Sequence, residues 1–107
     1  QEEAMALLRR DVTSAEHAVM RLITVPLSDF QFDALVSFTF NLGAATLQRS
    51  VLRRVVNRGA HAEVPNQIRR FVWAAGRRLP GLIRRRAAEA AWYMSAQSAA
   101  RGLLPLL

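Results

Sequence analysis

The segment from Asp29 to Leu42 constrains the fold of this chain more than any other part of the sequence. Its apolar residues alternate with polar ones, which is typical of a strand, and Leu35 breaks the alternation. Its length of 14 residues is nevertheless long for a strand and ordinary for a helix. Ser28 and Gln31 have capping-box spacing, and Gly43 stands where helices commonly end. We therefore predict a helix over 29–42, apolar nearly all round and in the middle of the core.

Further helices are predicted on both sides of this segment. Apolar side chains recur at steps of three and four over residues 1–23, which indicates a long amphipathic helix that Pro26 ends. The remaining helices are expected at 44–48, 51–58, 63–73 and from about Leu82 to Ala99, with a loop at 74–81. Five to seven helices and no sheet predict an all-α fold. We expect one helical domain over 1–100 and an apolar tail over 101–107.

The chain is strongly basic. Its 15 basic residues are all arginines and face eight acidic residues, which gives a net charge of +7. Such a surface favours anionic partners: phospholipid, a phosphate-bearing cell envelope or nucleic acid. Nucleic acid is disfavoured because no helix-turn-helix spacing or RNA-binding aromatic motif accompanies the arginines. Clusters such as Arg84, Arg85 and Arg86 are expected to form broad solvated faces. With no cysteine and two histidines, no metal site and no cofactor is predicted.

No catalytic centre is recognisable from residue chemistry alone. Most of the acidic residues lie on polar faces of predicted helices, where a solvated charge is expected. Glu89 follows Arg85 and Arg86 by four and three positions, which predicts an intrahelical ion pair. His17 is expected to be exposed on the first helix and His61 to lie in a turn, and neither is predicted to act as a catalytic base. The sequence carries no phosphate loop, nucleophile elbow or metal-binding motif.

Three stretches of the sequence resemble one known family. QFDALVSFTFNLGAATLQRSVLRRVVNRG, from Gln31 to Gly59, is similar to the phage lysozymes called endolysins, of the lambdoid and T4-like muramidase family. WAAGRRLPGLIRRRAAEAAWY, from Trp73 to Tyr93, resembles the tryptophan, glycine-containing loop and arginine-rich helix of the same family. Residues 1–27 resemble the long helix that joins its two lobes. The resemblance covers the chain to about residue 95.

The resemblance implies an α-helical C-terminal lobe of a phage lysozyme. The family cleaves the β-1,4 bond between N-acetylmuramic acid and N-acetylglucosamine in peptidoglycan and acts on the bacterial cell wall. Its catalytic glutamate and the groups beside it lie in an N-terminal lobe upstream of the long helix. Because no position here matches them, we expect no catalytic residue in this chain. We also expect that the chain begins where that lobe ends and is inactive alone.

The resemblance carries three substrate-binding positions onto this sequence: Phe40, Asn41 and Ser50. In the family, the matching positions line the sugar cleft. The alternatives stay open, since Phe40 could be a core residue and Ser50 a helix cap. Asn41 has the better claim, because an amide at a helix end can both donate to and accept from sugar hydroxyls. Trp73, Gly76 and Pro80 are expected to shape their loop, and one of residues 84–86 to pair with the catalytic acid of the other lobe.

Two further expectations concern partners. The alternative function is a non-enzymatic cationic adaptor of the same fold, which contacts cell envelope or nucleic acid through its arginines. Self-association is expected because apolar residues near both termini would be uncovered, and the first helix could exchange between chains. The residues expected to be uncovered are Met5, Leu8, Leu103, Leu104, Leu106 and Leu107.

Overall fold

The computed structural model describes the backbone of residues 2–103 and the side chains of residues 11–95. The described residues form six α-helices and one 3-10 turn, which confirms the predicted all-α class. The helices are α1 (Glu2–Leu22), α2 (Asp29–Leu42), α3 (Ala44–Arg49), α4 (Val51–Asn57), α5 (Val64–Ile68) and α6 (Pro80–Leu103), and the 3-10 turn is His61–Glu63. Among the described residues, no helix is long and apolar enough to cross a bilayer.

Helix α2 lies at the centre of the fold, packed against α1, α3 and α6. The capping box at its start is present: the Gln31 amide donates to Ser28 Oγ, and the Ser28 amide donates to Gln31 Oε1. These two bonds satisfy backbone donors that the first helical turn leaves unpaired. Leu35 and Phe38 are fully buried. The predictions of a helix over this segment and of its central position are therefore confirmed.

One hydrophobic cluster joins the elements around α2. Each of α1, α3, α4, α5 and α6 contributes at least one buried side chain to it. The buried apolar residues contributed by these helices are Val19, Leu22, Leu47, Leu52, Val55, Val56, Val64, Ile68, Ala90 and Tyr93. Burying this surface is the main stabilising contribution to the fold.

Polar side chains of α4 hold the C-terminal end of α1. Asn57 Nδ2 and Arg53 Nε each donate to the Leu22 carbonyl over 3.0 Å. The Thr24 amide donates to Asn57 Oδ1 over 2.8 Å. The last carbonyls of a helix lack intrahelical partners, so α4 supplies the missing donors and fixes where the chain turns toward α2.

A small β-hairpin spans the boundary between the helix expected over 63–73 and the loop expected over 74–81. Strands β1 (Trp73–Ala74) and β2 (Arg77–Arg78) pair in antiparallel register. Ala75 and Gly76 between them have φ of 52° and 74°. Positive φ at both central residues is the geometry of the tightest hairpin turns, and glycine adopts it at no steric cost. The expectation of no sheet is wrong at this hairpin. The sequence signal for the hairpin is its turn, and the two strands show no alternating pattern that would predict them.

The bounds of the last two helices differ from the expected ones. Helix α5 ends at Ile68, whereas a helix to Trp73 was expected. Helix α6 begins at Pro80 rather than near Leu82, since proline fits the first position of a helix, where no amide donor is needed. It continues to Leu103, into the expected apolar tail. The exposure expected for the side chains of Met5, Leu8 and Leu103, and the placement of residues 104–107, fall outside the part of the chain that the structure describes.

Candidate functional site

A groove of about 270 Å³ lies where α1, α2 and the start of α3 meet. We call it the Phe40 groove. The short connection between α2 and α3 forms one wall. Its single residue, Gly43, has φ of 94°, a conformation that residues with a side chain rarely adopt, and α3 begins directly after it. Its lining residues are Asp11, Ser14, Ala15, Thr39, Phe40, Gly43 and Ala44.

Thr39, which lines the Phe40 groove, has a buried hydroxyl without a partner in the part of the chain that the structure describes. Thr39 is 3% exposed, and its Oγ1 makes no hydrogen bond to any described residue. Leaving such a group unsatisfied costs about 1–3 kcal/mol of stability. Because Oγ1 is itself covered, a ligand hydroxyl or amide reaches it only when the Thr39 side chain rotates toward the groove, and such a bond would recover that energy. The buried hydroxyl therefore favours a polar ligand in this groove.

The rest of the lining matches the chemistry of a carbohydrate. Phe40 is 37% exposed and lines the groove, so part of its ring is accessible for packing against the carbon-bound hydrogens of a sugar ring. Ser14 adds a hydroxyl and Asp11 a carboxylate, and both side chains are exposed. Hydroxyl, carboxylate and aromatic groups together can accept from and donate to sugar hydroxyls while an apolar face packs against the ring.

The three sequence-derived binding residues do not share one cavity. Phe40 lines the Phe40 groove, and Asn41 is exposed beside it without lining it. Ser50 is buried and lines a different cavity, between α3 and α4. Its Oγ donates to the Leu47 carbonyl over 2.7 Å and accepts from the Arg53 amide over 3.0 Å. Of the alternatives left open, exposure argues against Phe40 as a core residue, and the hydrogen bonds make Ser50 the cap of α4.

The cavity that Ser50 borders is basic. It has a volume of about 470 Å³, and we call it the arginine groove. Four guanidinium groups line it together with polar side chains of α3 and α4. The lining residues are Gln48, Arg49, Ser50, Arg53, Arg54, Asn57 and Arg58.

A buried ionic cluster lies between α2 and α6. Arg86 is fully buried and Glu89 is 2% exposed, with Arg86 Nε 2.7 Å from Glu89 Oε1. Ser37 Oγ donates to Glu89 Oε2 over 2.6 Å. The predicted ion pair of Glu89 is confirmed, and Arg85 joins it at 3.5 Å. The prediction of a solvated arginine triplet is wrong for Arg86, whose guanidinium lies 5.5 Å from the centre of the Phe38 ring.

The two histidines differ in environment. His17 is exposed on α1, as expected. His61 Nδ1 lies 2.6 Å from the hydroxyl of Tyr93, which is fully buried in α6. Burial disfavours the phenolate and raises the pKa of Tyr93 well above its usual value near 10. The pair links the 3-10 turn to α6 and has no carboxylate in the contacts recorded for residues 11–95.

Sequence reasoning missed most of the Phe40 groove. Asp11 and Ser14 reach it only because α1 packs across α2, a long-range contact that no local pattern encodes. Thr39 did carry a signal, since it follows Leu35 by four positions on the buried face of α2. A polar residue at an apolar helical position is uncommon without a hydrogen-bond partner.

Comparison with known proteins gives a consistent result. The family model for phage lysozyme matches residues 1–89. The SAR-endolysin of Escherichia phage Mu is 40% identical over 89 residues, which are 83% of this chain and 52% of that protein. The endolysin of Acyrthosiphon pisum secondary endosymbiont phage 1 is 37% identical over 100 residues, 90% of this chain and 68% of that protein. The chain thus spans about half the length of the phage Mu relative.

Solved structures agree with this result. The muramidase domain of SpmX from Asticaccaulis excentricus is 39% identical with a TM-score of 0.79, over 87% of this chain and 66% of that chain. The endolysin from Escherichia coli O157:H7 phage FAHEc1 is 32% identical with a TM-score of 0.77, over 87% of this chain and 61% of that chain.

Proposed function

Because the chain belongs to the phage lysozyme family, we propose that it forms the saccharide-contacting helical lobe of a muramidase that cleaves peptidoglycan. The observation that carries the proposal is the hydroxyl of Thr39, which has no hydrogen-bond partner among the described residues, beside the exposed ring of Phe40. The Phe40 groove then holds part of the glycan strand. Phe40 packs against a sugar ring, and Thr39 and Ser14 bind its hydroxyl or acetamido groups. Asn41, exposed at the end of α2, contacts the strand at the rim.

We place the general acid of the reaction outside the side chains of residues 11–95. Hydrolysis of a glycosidic bond needs one carboxylic acid to protonate the leaving oxygen and a second group to activate water or stabilise the oxocarbenium ion. Among those residues, Glu89 is the buried carboxylate, and Arg86 and Ser37 hold it in the α2–α6 interface. Asp11 borders the Phe40 groove but is exposed and suits binding rather than proton donation. The role of this chain is therefore binding and positioning of the glycan.

Together with the expectation that no position of the chain matches the catalytic glutamate of the family, the assignment predicts that the 107-residue chain alone does not hydrolyse peptidoglycan. The measurement is turbidity loss and release of reducing ends from a purified peptidoglycan suspension. Asp11→Asn serves as an internal check, since it should leave the background rate of turbidity loss unchanged. Clearing at rates typical of a lysozyme would contradict the assignment, and loss of that clearing in Asp11→Asn would place the acid at Asp11.

The binding role is tested by two phenylalanines of the same helix. Phe40 and Phe30 are 37% and 45% exposed, but only Phe40 lines the Phe40 groove. Phe40→Ala should weaken binding of a muropeptide by about tenfold, the equivalent of about 1.4 kcal/mol, because ring packing is lost. Phe30→Ala should leave it within about twofold, less than about 0.5 kcal/mol. Equal effects of the two substitutions, measured by calorimetry, would contradict the proposal.

Thr39→Val separates ligand binding from folding. Valine has nearly the same shape as threonine, and the hydroxyl that it removes makes no hydrogen bond within the described residues. The free energy of unfolding should therefore stay the same or rise, by up to about 1–3 kcal/mol. Muropeptide binding should weaken, and Asn41→Ala in the same series should weaken it as well. Unchanged affinity in both variants at unchanged stability argues against a glycan in this groove.

A further inference from the structure

We propose that the arginine groove is a binding site for phosphate groups, presented by a lipid headgroup or by a free polyphosphate. Arg49, Arg53, Arg54 and Arg58 line the same cavity between α3 and α4. Arg58 pairs with Glu63 at 3.5 Å, and both side chains are more than half exposed. The other three arginines have no carboxylate partner among the side chains of residues 11–95. The groove therefore concentrates positive charge that those residues do not neutralise.

The walls of the arginine groove are held in place by hydrogen bonds within the protein. Arg53 donates from Nε to the Leu22 carbonyl and from Nη1 to the Gln48 carbonyl, over 3.0 and 3.3 Å. The Asn57 amide and the Ser50 hydroxyl are likewise committed to backbone groups. The donors left for a ligand belong to the guanidinium groups and to the side-chain amide of Gln48. A site whose frame is fixed before binding loses less conformational entropy when a ligand enters.

Phosphate fits this arrangement better than a single carboxylate. A guanidinium group matches phosphate oxygens with two parallel hydrogen bonds. Several guanidinium groups around one cavity repel one another, so the favoured ligand brings more than one negative charge. A carboxylate brings one, whereas a phosphate monoester or a polyphosphate brings more. Lipid headgroups that end in a phosphate monoester share this chemistry with free polyphosphates, and the experiment below separates them.

Position, rather than net charge, distinguishes the arginine groove from other basic surfaces of the chain. Arg77 and Arg78 form strand β2 of the exposed hairpin and line neither this cavity nor the Phe40 groove. Removing this pair lowers the net charge by two, as does removing Arg49 and Arg54. The double variant R77A/R78A is therefore a matched control: nonspecific attraction to the charge of +7 predicts equal losses, and a built site predicts unequal ones.

The test is calorimetric titration of the 107-residue chain with inorganic tripolyphosphate. R49A/R54A should weaken binding by at least about tenfold, or about 1.4 kcal/mol, whereas R77A/R78A should change it by less than about threefold. Arg53 is left intact, because its guanidinium supports the end of α1. Arg49 and Arg54 are exposed, so thermal unfolding should be unchanged, and R49Q/R54Q repeats the test if the alanine variant is destabilised.

A second arm identifies the source of the phosphate. The chain is cosedimented with phosphatidylcholine vesicles with and without phosphatidic acid, whose headgroup is a phosphate monoester. Binding that needs phosphatidic acid and is lost in R49A/R54A indicates a lipid headgroup. Tripolyphosphate binding without vesicle binding indicates a free polyphosphate, and either result supports the proposal. Equal losses in R49A/R54A and R77A/R78A, or no tripolyphosphate binding at about 50 mM salt, overturn it. Duplex DNA is titrated in the same way. If it binds more tightly per phosphate than tripolyphosphate, and R49A/R54A removes that binding, the proposal is overturned in favour of a nucleic-acid site.

Discussion

Tyr93 shows how a single buried residue ties pH to stability. It is the one tyrosine of a chain that has no lysine and no cysteine, so no other side chain titrates near pH 10. Burial raises the pKa of its phenol in the folded protein, whereas the unfolded chain keeps the usual value. Its hydroxyl is hydrogen-bonded to His61 at 2.6 Å. We therefore expect the stability change in this pH range to come from Tyr93.

The sign of the effect follows from proton binding. Below about pH 10 the phenol is protonated in both states, and stability does not depend on it. As the pH rises further, the unfolded chain loses the proton first, so the free energy of unfolding should fall by up to about 1.4 kcal/mol per pH unit. Urea unfolding between pH 9 and pH 11 measures this slope. Tyr93→Phe should abolish this dependence of the free energy of unfolding on pH. An unchanged slope in that variant would show that another group causes the dependence.

Residue roles were predictable where they depend on near neighbours in the chain. The ion pair of Glu89 follows from spacing along one helix, and the capping box of Ser28 from spacing at a helix start. The burial of Arg86 was not predictable, because it depends on the ring of Phe38 across the α2–α6 interface. The spacing of residues 84–86 places them on three different faces of a helix. It does not indicate which of these faces is covered by another helix.

At the level of elements, the α2–α6 interface depends on the buried ion pair. Glu89→Ala leaves the charge of Arg86 buried and unpaired, which should lower the free energy of unfolding by about 3–5 kcal/mol. Arg85→Ala removes the 42% exposed partner and should cost less than about 1 kcal/mol. Urea denaturation of both variants measures the difference. If Glu89→Ala does not fold, Glu89→Gln keeps the shape of the side chain, and similar costs for Glu89→Gln and Arg85→Ala would contradict the account.

Element types were predictable where caps and apolar periodicity agree. Helix α2 matches its expected bounds because Ser28 and Gly43 mark both ends. The hairpin at residues 73–78 was missed because its strands have two residues each, too few for a periodic signal. The end of helix α5 was missed for a related reason. Its apolar pattern is weak, and Pro65 in the first turn indicates where the helix begins but not where it ends.

At the level of the whole molecule, self-association stays a prediction. The apolar side chains expected to drive it fall outside the described side chains, and the charge of +7 opposes close approach of identical surfaces. We expect light scattering at about 100 µM protein and 150 mM salt to give a mass above 12.0 kDa. The mass should rise with salt as repulsion is screened. A mass of 12.0 kDa at every salt concentration contradicts the prediction.

The fold class and one wall of the Phe40 groove were predictable, but the assembled groove was not. The family resemblance indicated Phe40, and the Ser28 cap with Gly43 predicted the helix whose end carries it. The contribution of Asp11 and the separation of Ser50 into another cavity depend on how α1, α3 and α4 pack. Such packing is set by shape complementarity between distant segments, which a single sequence does not display.

The most direct test of the account is a map of where a peptidoglycan fragment binds. An isotope-labelled sample of the chain is titrated with a soluble muropeptide, and the backbone amide shifts are followed residue by residue. The account predicts that the largest changes cluster at residues 11–15 and 39–44, around Thr39 and Phe40. Changes confined to residues 48–58, or no changes at millimolar muropeptide, would contradict the claim that the Phe40 groove holds the glycan.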